Sequence, residues 1–374
     1  MPTVLLTTEG TRFAGIEAHL INLLDGCRDE NQCRFHLAVF DNGPLAERAR
    51  ERGILVHHIN RRRKYDTAAI RELADIQRDA GVEVVHTHGY LANVVAAKAC
   101  AETGVPLVTT VHGAPEAFTG LAGLKMRLNL RLDRRAMRKQ AARVIVVASF
   151  LKDLLVAHHV PGEKIEVVAN GIPDRAPDAR ERFDNRTRLE LPPDAPTIAF
   201  VGRLEPVKDP LAFVELAKHI VAERPQARFV VAGDGPLMGE MRERVLAEHL
   251  LPAFRFLGFV ESVEPLLAAC DLVAVTSRSE GVPFVILEAL RAGRPVVAPP
   301  VGGLPEMLAG LPGMLAEERG VEALAAKVLA MLDDDPQRRA LGEMARQRFL
   351  ARFTARQMAE RTLALYRTTI EERP

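Results

Sequence analysis

The sequence predicts an α/β protein made of two doubly wound parallel-sheet domains in tandem. Short apolar runs rich in valine and isoleucine recur along the chain, and amphipathic segments with helical periodicity separate them. Strands that are apolar on both faces and joined by helices form parallel sheets covered on both sides. The alternation stops once, between residues 170 and 196, and then resumes. The 374 residues are enough for two domains of ordinary size.

The first half of the chain contains seven predicted strands. They are the apolar runs at residues 4–8, 35–40, 54–59, 83–88, 107–112, 144–148 and 165–169. Amphipathic helices are predicted between them, for example at 16–25, 68–80 and 91–102. This alternation is typical of a Rossmann-like, doubly wound domain.

The segment from residue 170 to residue 196 breaks the pattern. It is rich in proline and charged residues and poor in apolar ones, so it is interpreted as an interdomain linker. Five more strands are predicted at 197–201, 229–232, 255–258, 272–276 and 295–298, and three final helices at 321–332, 336–352 and 354–370. The predicted domains are residues 1–172, completed by the C-terminal helix at 354–374, and residues 173–353.

Composition excludes several classes of function. The formal net charge of +1 argues against a nucleic-acid partner. The four cysteines form no CxxC pair and have no zinc-ligand spacing, which predicts reduced thiols. No apolar stretch is long enough to span a membrane, and the first residues lack the basic region of a signal peptide. These features predict a cytoplasmic protein.

In open α/β sheets, ligands bind beyond the carboxyl ends of the strands. Two such domains facing each other are expected to form a ligand-binding cleft, so residues just after each strand are the candidates. In the second domain, Gly202 and Arg203 follow the first strand, and Lys208 comes five residues later. A guanidinium fork and a lysine ammonium suit a diphosphate. The same spacing also fits a solvated surface pair.

Residues 277–290 are the densest candidate segment. Glu288 lies two turns into an apolar run and Glu280 precedes it by eight residues. A buried carboxylate needs partners, either the two hydroxyls of a ribose or a nearby arginine or lysine. Gly281 and the first amides of the helix are suited to phosphates or sugar hydroxyls.

Two glycine turns follow other strands of the second domain. One runs from Gly233 to Pro236, and the other contains Gly302 and Gly303. Their glycines either allow backbone contact with a ligand or only shape the turn.

Taken in order, these motifs resemble the family 4 retaining glycosyltransferases, which have the GT-B fold. The resemblance covers the whole chain. Its pieces are Gly-Arg-Leu with Lys208, Gly-Asp-Gly-Pro, Glu-x7-Glu and Gly-Gly-Leu-Pro-Glu in the second domain, and the segments 15–20, 86–89, 110–113 and 170–172 in the first. Two departures stand out. The family's glycine pair reads Ala14-Gly15, and Gly-Val-Pro-Phe follows Glu280 in place of the commoner Gly-Phe-Gly-Leu, which alters the backbone that faces the sugar.

The resemblance implies that a sugar moves from a nucleotide-diphosphate sugar to an acceptor with retention, in envelope polysaccharide or glycolipid synthesis. It implies a donor site in which Arg203 and Lys208 hold the diphosphate, Glu288 the ribose and Glu280 the sugar hydroxyls. The implied catalytic residues are His112, Glu280, Arg203 and Lys208. The implied donor-binding residues are Gly15, Gly202, Arg203, Lys208, Gly233, Glu280, Gly281 and Glu288.

The chemistry is predicted to need no metal. The departing nucleoside diphosphate gains negative charge, which Arg203, Lys208 and helix N-termini can stabilise. No DxD-like carboxylate pair follows a strand in these motifs. We therefore expect a metal-independent, hexosyltransferase-like enzyme whose nucleotide sugar is a co-substrate and which has no other cofactor.

Two other function classes remain open. An epimerase or phosphorylase can use the same two-domain frame, although no phosphate site or cofactor lysine is recognisable. The other class is a catalytically silent nucleotide-binding module.

Two basic features bear on partners. They are the run 61–64 and a helix predicted at 123–139, and residues 1–172 carry 23 basic and 19 acidic side chains. They indicate either an ordinary solvated face or attraction to anionic lipid or an acceptor phosphate. The second interpretation predicts peripheral contact with the inner face of a membrane and a lipid-linked or polysaccharide acceptor. The first leaves a soluble enzyme with a small-molecule acceptor.

Overall fold

The computed structural model describes residues 1–11, 14–28, 32–61, 63–114, 120–175 and 179–373. The chain divides into two compact units, Met1–Pro173 with Thr354–Pro374, and Asp174–Phe353. This division lies one residue from the boundary drawn from the sequence. No helix in the described ranges is long and apolar enough to cross a bilayer.

The first unit is built on a seven-stranded parallel sheet. Its strands are β1 (Thr3–Thr8), β2 (Arg34–Val39), β3 (Leu55–His58), β4 (Val84–His88), β5 (Leu107–Val111), β6 (Ala141–Val146) and β7 (Ile165–Val167). Their order is β3-β2-β1-β4-β5-β6-β7. Its helices are α1 (Gly15–Gly26), α2 (Pro44–Glu51), α3 (Thr67–Asp79), α4 (Tyr90–Thr103), α5 (Gly120–Lys139), α6 (Ser149–Ala157) and, from the end of the chain, α15 (Ala355–Glu371).

The second unit is built on a five-stranded parallel sheet. Its strands are β8 (Thr197–Val201), β9 (Arg228–Ala232), β10 (Phe254–Gly258), β11 (Leu272–Ala274) and β12 (Val296–Val297), in the order β10-β9-β8-β11-β12. Its helices are α7 (Ala179–Arg188), α8 (Pro210–Glu223), α9 (Met238–Ala247), α10 (Glu264–Ala269), α11 (Phe284–Arg291), α12 (Leu304–Leu308), α13 (Val321–Asp333) and α14 (Asp335–Arg352).

Each sheet has one switch point, where the strand order reverses. It lies between β1 and β4 in the first unit and between β8 and β11 in the second. All six residues of β1 and all five of β4 are buried, as expected for strands covered on both faces. Loops that leave the carboxyl ends of strands at a switch point are where open α/β sheets bind ligands. The fold therefore directs attention to the loops after β1, β4, β8 and β11.

Helix α15 belongs to the first unit because close contacts tie its start to the chain after β7. The Ala355 amide donates to the Ile172 carbonyl at 2.8 Å, and a Cβ added to Gly171 would lie 2.3 Å from the Thr354 carbonyl oxygen. Only glycine allows that approach. Farther along α15, Tyr366 is fully buried in the first unit's core.

All twelve predicted strands are present, but the interpretation of residues 170–196 as a linker was wrong in part, because it contains α7. This helix is held by arginine hydrogen bonds instead of an apolar stripe. Buried Arg186 donates to the carbonyls of Ala195 at 2.6 Å and Ala269 at 2.9 Å, and Arg182 pairs with Asp271 at 2.8 Å. Its aromatic residue, Phe183, is 68% exposed. Apolar periodicity could not indicate such a helix.

Candidate functional site

The loop after β8 packs backbone against backbone with the loop after β9, and the loop after β11 does so with the loop after β12. A Cβ on Gly233, which has a φ of +140°, would lie 1.9 Å from the Gly202 carbonyl oxygen. A Cβ on Gly302, at a φ of +54°, would lie 1.8 Å from the Glu280 carbonyl oxygen. Both positions therefore need glycine for steric and conformational reasons. These glycines bring neighbouring loops together on each side of the switch point of the second sheet.

Lys208 and Glu280 form a partly buried ion pair between the loops after β8 and β11. The Lys208 Nζ donates to both carboxylate oxygens of Glu280, at 2.7 and 2.6 Å. Ser277 donates its hydroxyl to the same carboxylate at 2.5 Å. From the sequence, the lysine is expected to hold a diphosphate and the carboxylate to hold sugar hydroxyls. The structure pairs them with each other, so a ligand that takes either group must compete with the other.

Arg203, five residues before Lys208 in the sequence, lies at the surface. Its side chain is 62% exposed and its Nη1 donates to the Glu205 carboxylate at 2.6 Å. A Cβ added to Gly202 would lie 3.9 Å from the aliphatic stem of Lys208. The guanidinium is thus held at the mouth of the loop by a carboxylate that an anionic ligand can replace.

Asp209 organises the same region and was not singled out from the sequence. It has a φ of +50°, and its carboxylate pairs with Arg278 at 2.7 Å and with Arg319 at 3.3 Å. The Thr276 hydroxyl donates to the carbonyl of Asp209 at 2.9 Å. These bonds tie the loop after β8 to the loop after β11. In the sequence, Asp209 is marked only by its place between Lys208 and Pro210, the proline that begins α8.

Glu288 is a carboxylate without a partner among the described residues. It lies on α11, it is largely buried, and among the residues described here its carboxylate makes no hydrogen bond or ion pair. Burial raises the pKa of Glu288 to about 7, although nearby Arg291 opposes the shift. Arg291 instead pairs with Glu264 at 2.7 Å. Of the two partners considered from the sequence, a basic side chain is not bonded to Glu288 in the described chain.

The first unit brings four histidines together near its own switch point. We call His19, His86, His88 and His112 the histidine cluster. The rings of His19 and His112 are 4.7 Å apart and those of His86 and His88 are 4.3 Å apart. Burial lowers the pKa of His19 to about 4 and lowers the pKa values of the other three well below their usual range. The cluster is therefore neutral at physiological pH.

Each ring has hydrogen bonds that help to set its position. His19 Nδ1 bonds to Asn170 Oδ1 at 2.9 Å, and Asn170 belongs to the Asn-Gly segment at the end of the first unit's main body. His86 bonds to the Tyr366 hydroxyl at 2.5 Å and to the Thr110 hydroxyl at 2.7 Å. His88 Nδ1 and His112 Nε2 are 2.9 Å apart and share one proton.

The direction of the bond between His88 and His112 follows from burial. His88 Nε2 is buried and has no partner among the described residues. If His88 Nδ1 donates to His112, His88 Nε2 carries a lone pair and no proton. In the reverse arrangement His88 Nε2 is an N–H without an acceptor, which is the rarer case in buried protein. The first arrangement is favoured, and it leaves His112 with its proton on Nδ1.

Three rings of the cluster are the one group in the described ranges with potential metal-ligand geometry. Nitrogens of His19, His88 and His112 lie within 4.8 Å of one another. A metal needs a bare nitrogen from each ring. While His88 and His112 share a proton, only one of their two outer nitrogens can be bare. A metal would therefore have to displace that hydrogen bond, and metal independence stays a prediction.

Gly15 begins α1 at the surface, and a Cβ there would meet nothing within 4 Å. The Ala14 amide donates to the Glu17 carboxylate at 3.0 Å. Residues 12 and 13 of this loop lie outside the described residues. Ala14 in place of the family's first glycine is thus accommodated by an exposed turn.

The predicted site residues fall into two groups. Gly202, Arg203, Lys208, Gly233, Glu280, Gly281 and Glu288 lie in the second unit, and Gly15 and His112 lie in the first. The sequence did not indicate the roles of Asp209, Asn170 and Tyr366, whose partners are distant along the chain, or that of Ser277, whose partner Glu280 is three residues away. His19 and His88 were within motifs quoted from the sequence, but nothing there showed that they would meet His112.

Sequence comparison decides the family. The family Glycosyltransferase Family 4 matches residues 13–175, and Glycosyl transferases group 1 matches residues 181–348. A D-inositol 3-phosphate glycosyltransferase of Thermobispora bispora is 32% identical over 319 residues, which cover 77% of this chain and 71% of the relative. The chain belongs to glycosyltransferase family 4. It is a glycosyltransferase with the GT-B fold, as the sequence motifs predicted.

Other relatives of this glycosyltransferase act on different acceptors. An Escherichia coli UDP-Gal:alpha-D-GlcNAc-diphosphoundecaprenol alpha-1,3-galactosyltransferase is 27% identical over 277 residues, covering 72% of this chain and 71% of that enzyme. Among solved structures, Anabaena HepE in complex with UDP-glucose has a TM-score of 0.84 at 22% identity and covers 98% of this chain and 99% of its own. At that identity the structural likeness establishes the fold.

Proposed function

We propose that this glycosyltransferase takes its sugar from a nucleoside-diphosphate sugar bound by the loops after β8 and β11. The observation that carries the proposal is the largely buried carboxylate of Glu288, which makes no hydrogen bond or ion pair in the part of the chain that the structure describes. A carboxylate in that setting needs hydrogen-bond donors, and the two hydroxyls of a ribose supply one to each oxygen. The nucleotide complexes of HepE and the donor named for the Escherichia coli relative support the same donor class.

The remaining residues take the following roles in the proposal. Arg203 exchanges Glu205 for the diphosphate, and Lys208 shares its charge between the diphosphate and Glu280. Glu280 accepts hydrogen bonds from the sugar hydroxyls, and Gly281 lets the first turn of α11 approach them. Gly202 and Gly233 keep side chains out of the diphosphate region, while the open start of α1 at Gly15 offers amides to a phosphate.

The chemical step requires stabilisation of the departing diphosphate. Its charge grows in the transition state, and fixed cations and helix amides stabilise it without reorganisation. His112 carries a proton on Nδ1 in the favoured arrangement and is proposed to donate it in a hydrogen bond to the transferred sugar. Retention and an envelope polysaccharide or glycolipid acceptor are carried over as proposals from the family resemblance and the acceptor of the Escherichia coli relative.

A product assay tests the proposal against its alternatives. The protein is incubated with UDP-, GDP- and ADP-sugars and with two acceptor classes, an inositol phosphate and a diphosphate-linked lipid sugar. We expect one donor to release free nucleoside diphosphate only with an acceptor, and nuclear magnetic resonance of the product to show the donor's anomeric configuration. Conversion of the nucleotide sugar with no acceptor would indicate an epimerase, and a need for inorganic phosphate would indicate a phosphorylase. No turnover and no nucleotide binding would contradict the proposal.

The same assay tests metal independence. We expect turnover to persist in EDTA and the purified protein to carry no stoichiometric metal, because Arg203 and Lys208 supply the positive charge. Loss of turnover in EDTA with recovery on Mg²⁺ would contradict this. Stoichiometric zinc lost on His19→Ala would instead locate a metal at the histidine cluster.

A further inference from the structure

Helix α5 concentrates positive charge on the first unit. Gly120–Lys139 contains seven lysines and arginines against one acidic residue, Asp133. Asp133 is buried and accepts a hydrogen bond from Asn93 of α4 at 2.6 Å. Its carboxylate therefore faces inward and does not offset the basic side chains at the surface.

Five of the exposed residues of α5 form one stripe. It consists of Leu124, Leu128, Arg131, Arg135 and Arg138, spaced alternately by four and three residues, and exposed Lys125, Arg127 and Lys139 flank it. This spacing places side chains on a single helix face. Leu124 and Leu128 are 63% and 58% exposed. The opposite face, with Asn129, Asp133 and Met137, is buried, so the stripe is not needed to hold the helix in the fold.

The arginines of the stripe are available for an external anion. Arg131, Arg135 and Arg138 form no ion pair with any carboxylate in the part of the chain that the structure describes. Surface arginines next to one another repel, so the arrangement favours a negatively charged partner. The stripe thus combines unneutralised charge with exposed apolar side chains on one face.

A second basic segment lies against the same helix. The Tyr65 hydroxyl donates to Asn129 of α5 at 2.8 Å. The preceding Lys64 has its ammonium 4.7 Å from the centre of the Tyr90 ring, and Arg63 is exposed. Arg62 lies outside the described residues. Asn129 is on the buried face of α5, opposite the stripe, so we define the α5 surface as the stripe alone.

We propose that the α5 surface binds an anionic membrane, with Leu124 and Leu128 entering the interface and the arginines contacting lipid phosphates. Amphipathic helices with basic and leucine side chains on one face bind in this manner. Arginine suits phosphate because its planar fork makes paired hydrogen bonds. The leucines favour a lipid surface over a soluble polyanion, since exposed apolar side chains gain nothing from a charged polymer.

Vesicle flotation tests this without donor or acceptor, so its outcome is independent of the proposed function. The full-length protein is mixed with vesicles of phosphatidylcholine alone or with added phosphatidylglycerol, at low and high salt. We expect binding only to the anionic vesicles and weaker binding at high salt. Arg131→Glu with Arg135→Glu should lower the partition coefficient at least about tenfold, and Leu124→Gln with Leu128→Gln about fivefold.

Matched controls separate the α5 surface from general charge. Arg339→Glu with Arg361→Glu makes the same charge change at exposed arginines of α14 and α15, and Leu246→Gln changes an exposed leucine of α9. These variants should bind as the wild type does. The proposal would be overturned if the Arg131 and Arg135 double variant bound vesicles as the wild type does, or if the protein bound neutral and anionic vesicles equally. It would also be overturned if the protein bound heparin, equally well with the leucine substitutions, and did not bind vesicles.

Discussion

The histidine cluster of the first unit and the loops after β8 and β11 of the second unit bury polar groups in opposite ways. The cluster is neutral, because burial keeps each imidazole in its uncharged form. Its rings bond to one another and to Asn170, Tyr366 and Thr110. The second-unit loops hold an ion pair between Lys208 and Glu280, and Glu288 on α11 makes no hydrogen bond or ion pair with any described residue.

This difference separates a region that holds its geometry from a region that is incomplete. A neutral, mutually bonded cluster fixes the orientation of His112 without needing a ligand. A buried carboxylate without donors is costly until something binds it. The stability of the two regions should therefore change in opposite directions with pH. It should also fall by different amounts when a methyl group is added to the backbone.

The largest expected effect is on packing. Gly302→Ala places a methyl group where the Glu280 carbonyl already lies, and we expect it to cost more than about 4 kcal/mol of folding free energy. Gly15→Ala, whose new methyl group meets nothing, should change stability by less than about 0.5 kcal/mol. Urea unfolding of both variants measures this. Equal stability of the two proteins would show that the second-unit loops are not as closely packed as described.

Acid should weaken the first unit. The pKa of His19 is about 4 in the folded protein against 6.5 for an unperturbed histidine, so the unfolded chain gains a proton that the native one does not as pH falls from 6.5 to 4. Stability is lost across that window, by about 3 kcal/mol from His19 alone.

Hydrogen exchange, corrected for intrinsic amide rates, reports this loss separately for the strands of each unit. Protection of β1 and β4 should fall with acid, and His19→Asn should reduce the fall. If the protection of these strands did not change with acid, the conclusion that the histidine cluster is uncharged in the folded protein would be contradicted.

Glu288 should have the opposite sign and an effect of similar size. Its pKa is about 7 in the folded protein against 4.5 for an unperturbed glutamate, so the stability of the second unit is highest below pH 4.5 and falls as pH rises through 7. The loss is about 3 kcal/mol. Glu288→Gln should remove this slope and stabilise the second unit above neutral pH. Glu318→Gln makes the same replacement at an exposed glutamate and should leave the slope unchanged, so it is the control. An unchanged slope in Glu288→Gln would contradict the assignment.

The sequence predicted the elements of the fold well because strand and helix periodicities are local. It failed at α7, whose stability comes from Arg182 and Arg186 bonding to residues far along the chain. Exact strand ends also differed, since β11 ends at Ala274 where the pattern continued to residue 276. Strand ends depend on pairing with neighbours, and a single strand's composition does not carry that information.

The candidate site was predictable to the level of residue type and motif. The position of Glu288 in an apolar run indicated a carboxylate of low exposure, and the structure gives its side chain intermediate exposure. The bond between Lys208 and Glu280 was not predictable, because it joins residues from two different loops. The histidine cluster was hidden for the same reason: His19, His88 and His112 come from α1, β4 and the end of β5, and only the strand order brings them together.

Calorimetric titration of nucleoside diphosphates into wild type and Glu288→Gln tests the central claim, that Glu288 binds the donor's ribose. At about pH 8, where Glu288 is ionised, the tightest of UDP, GDP and ADP is compared with its 2′,3′-dideoxy analogue. We expect the wild type to prefer the ribose form by about 30-fold or more, on the scale of hydrogen bonds to a charged group, and the variant to prefer it by less than about threefold. The same preference in both proteins, or no binding of any of the three nucleotides, would contradict the account.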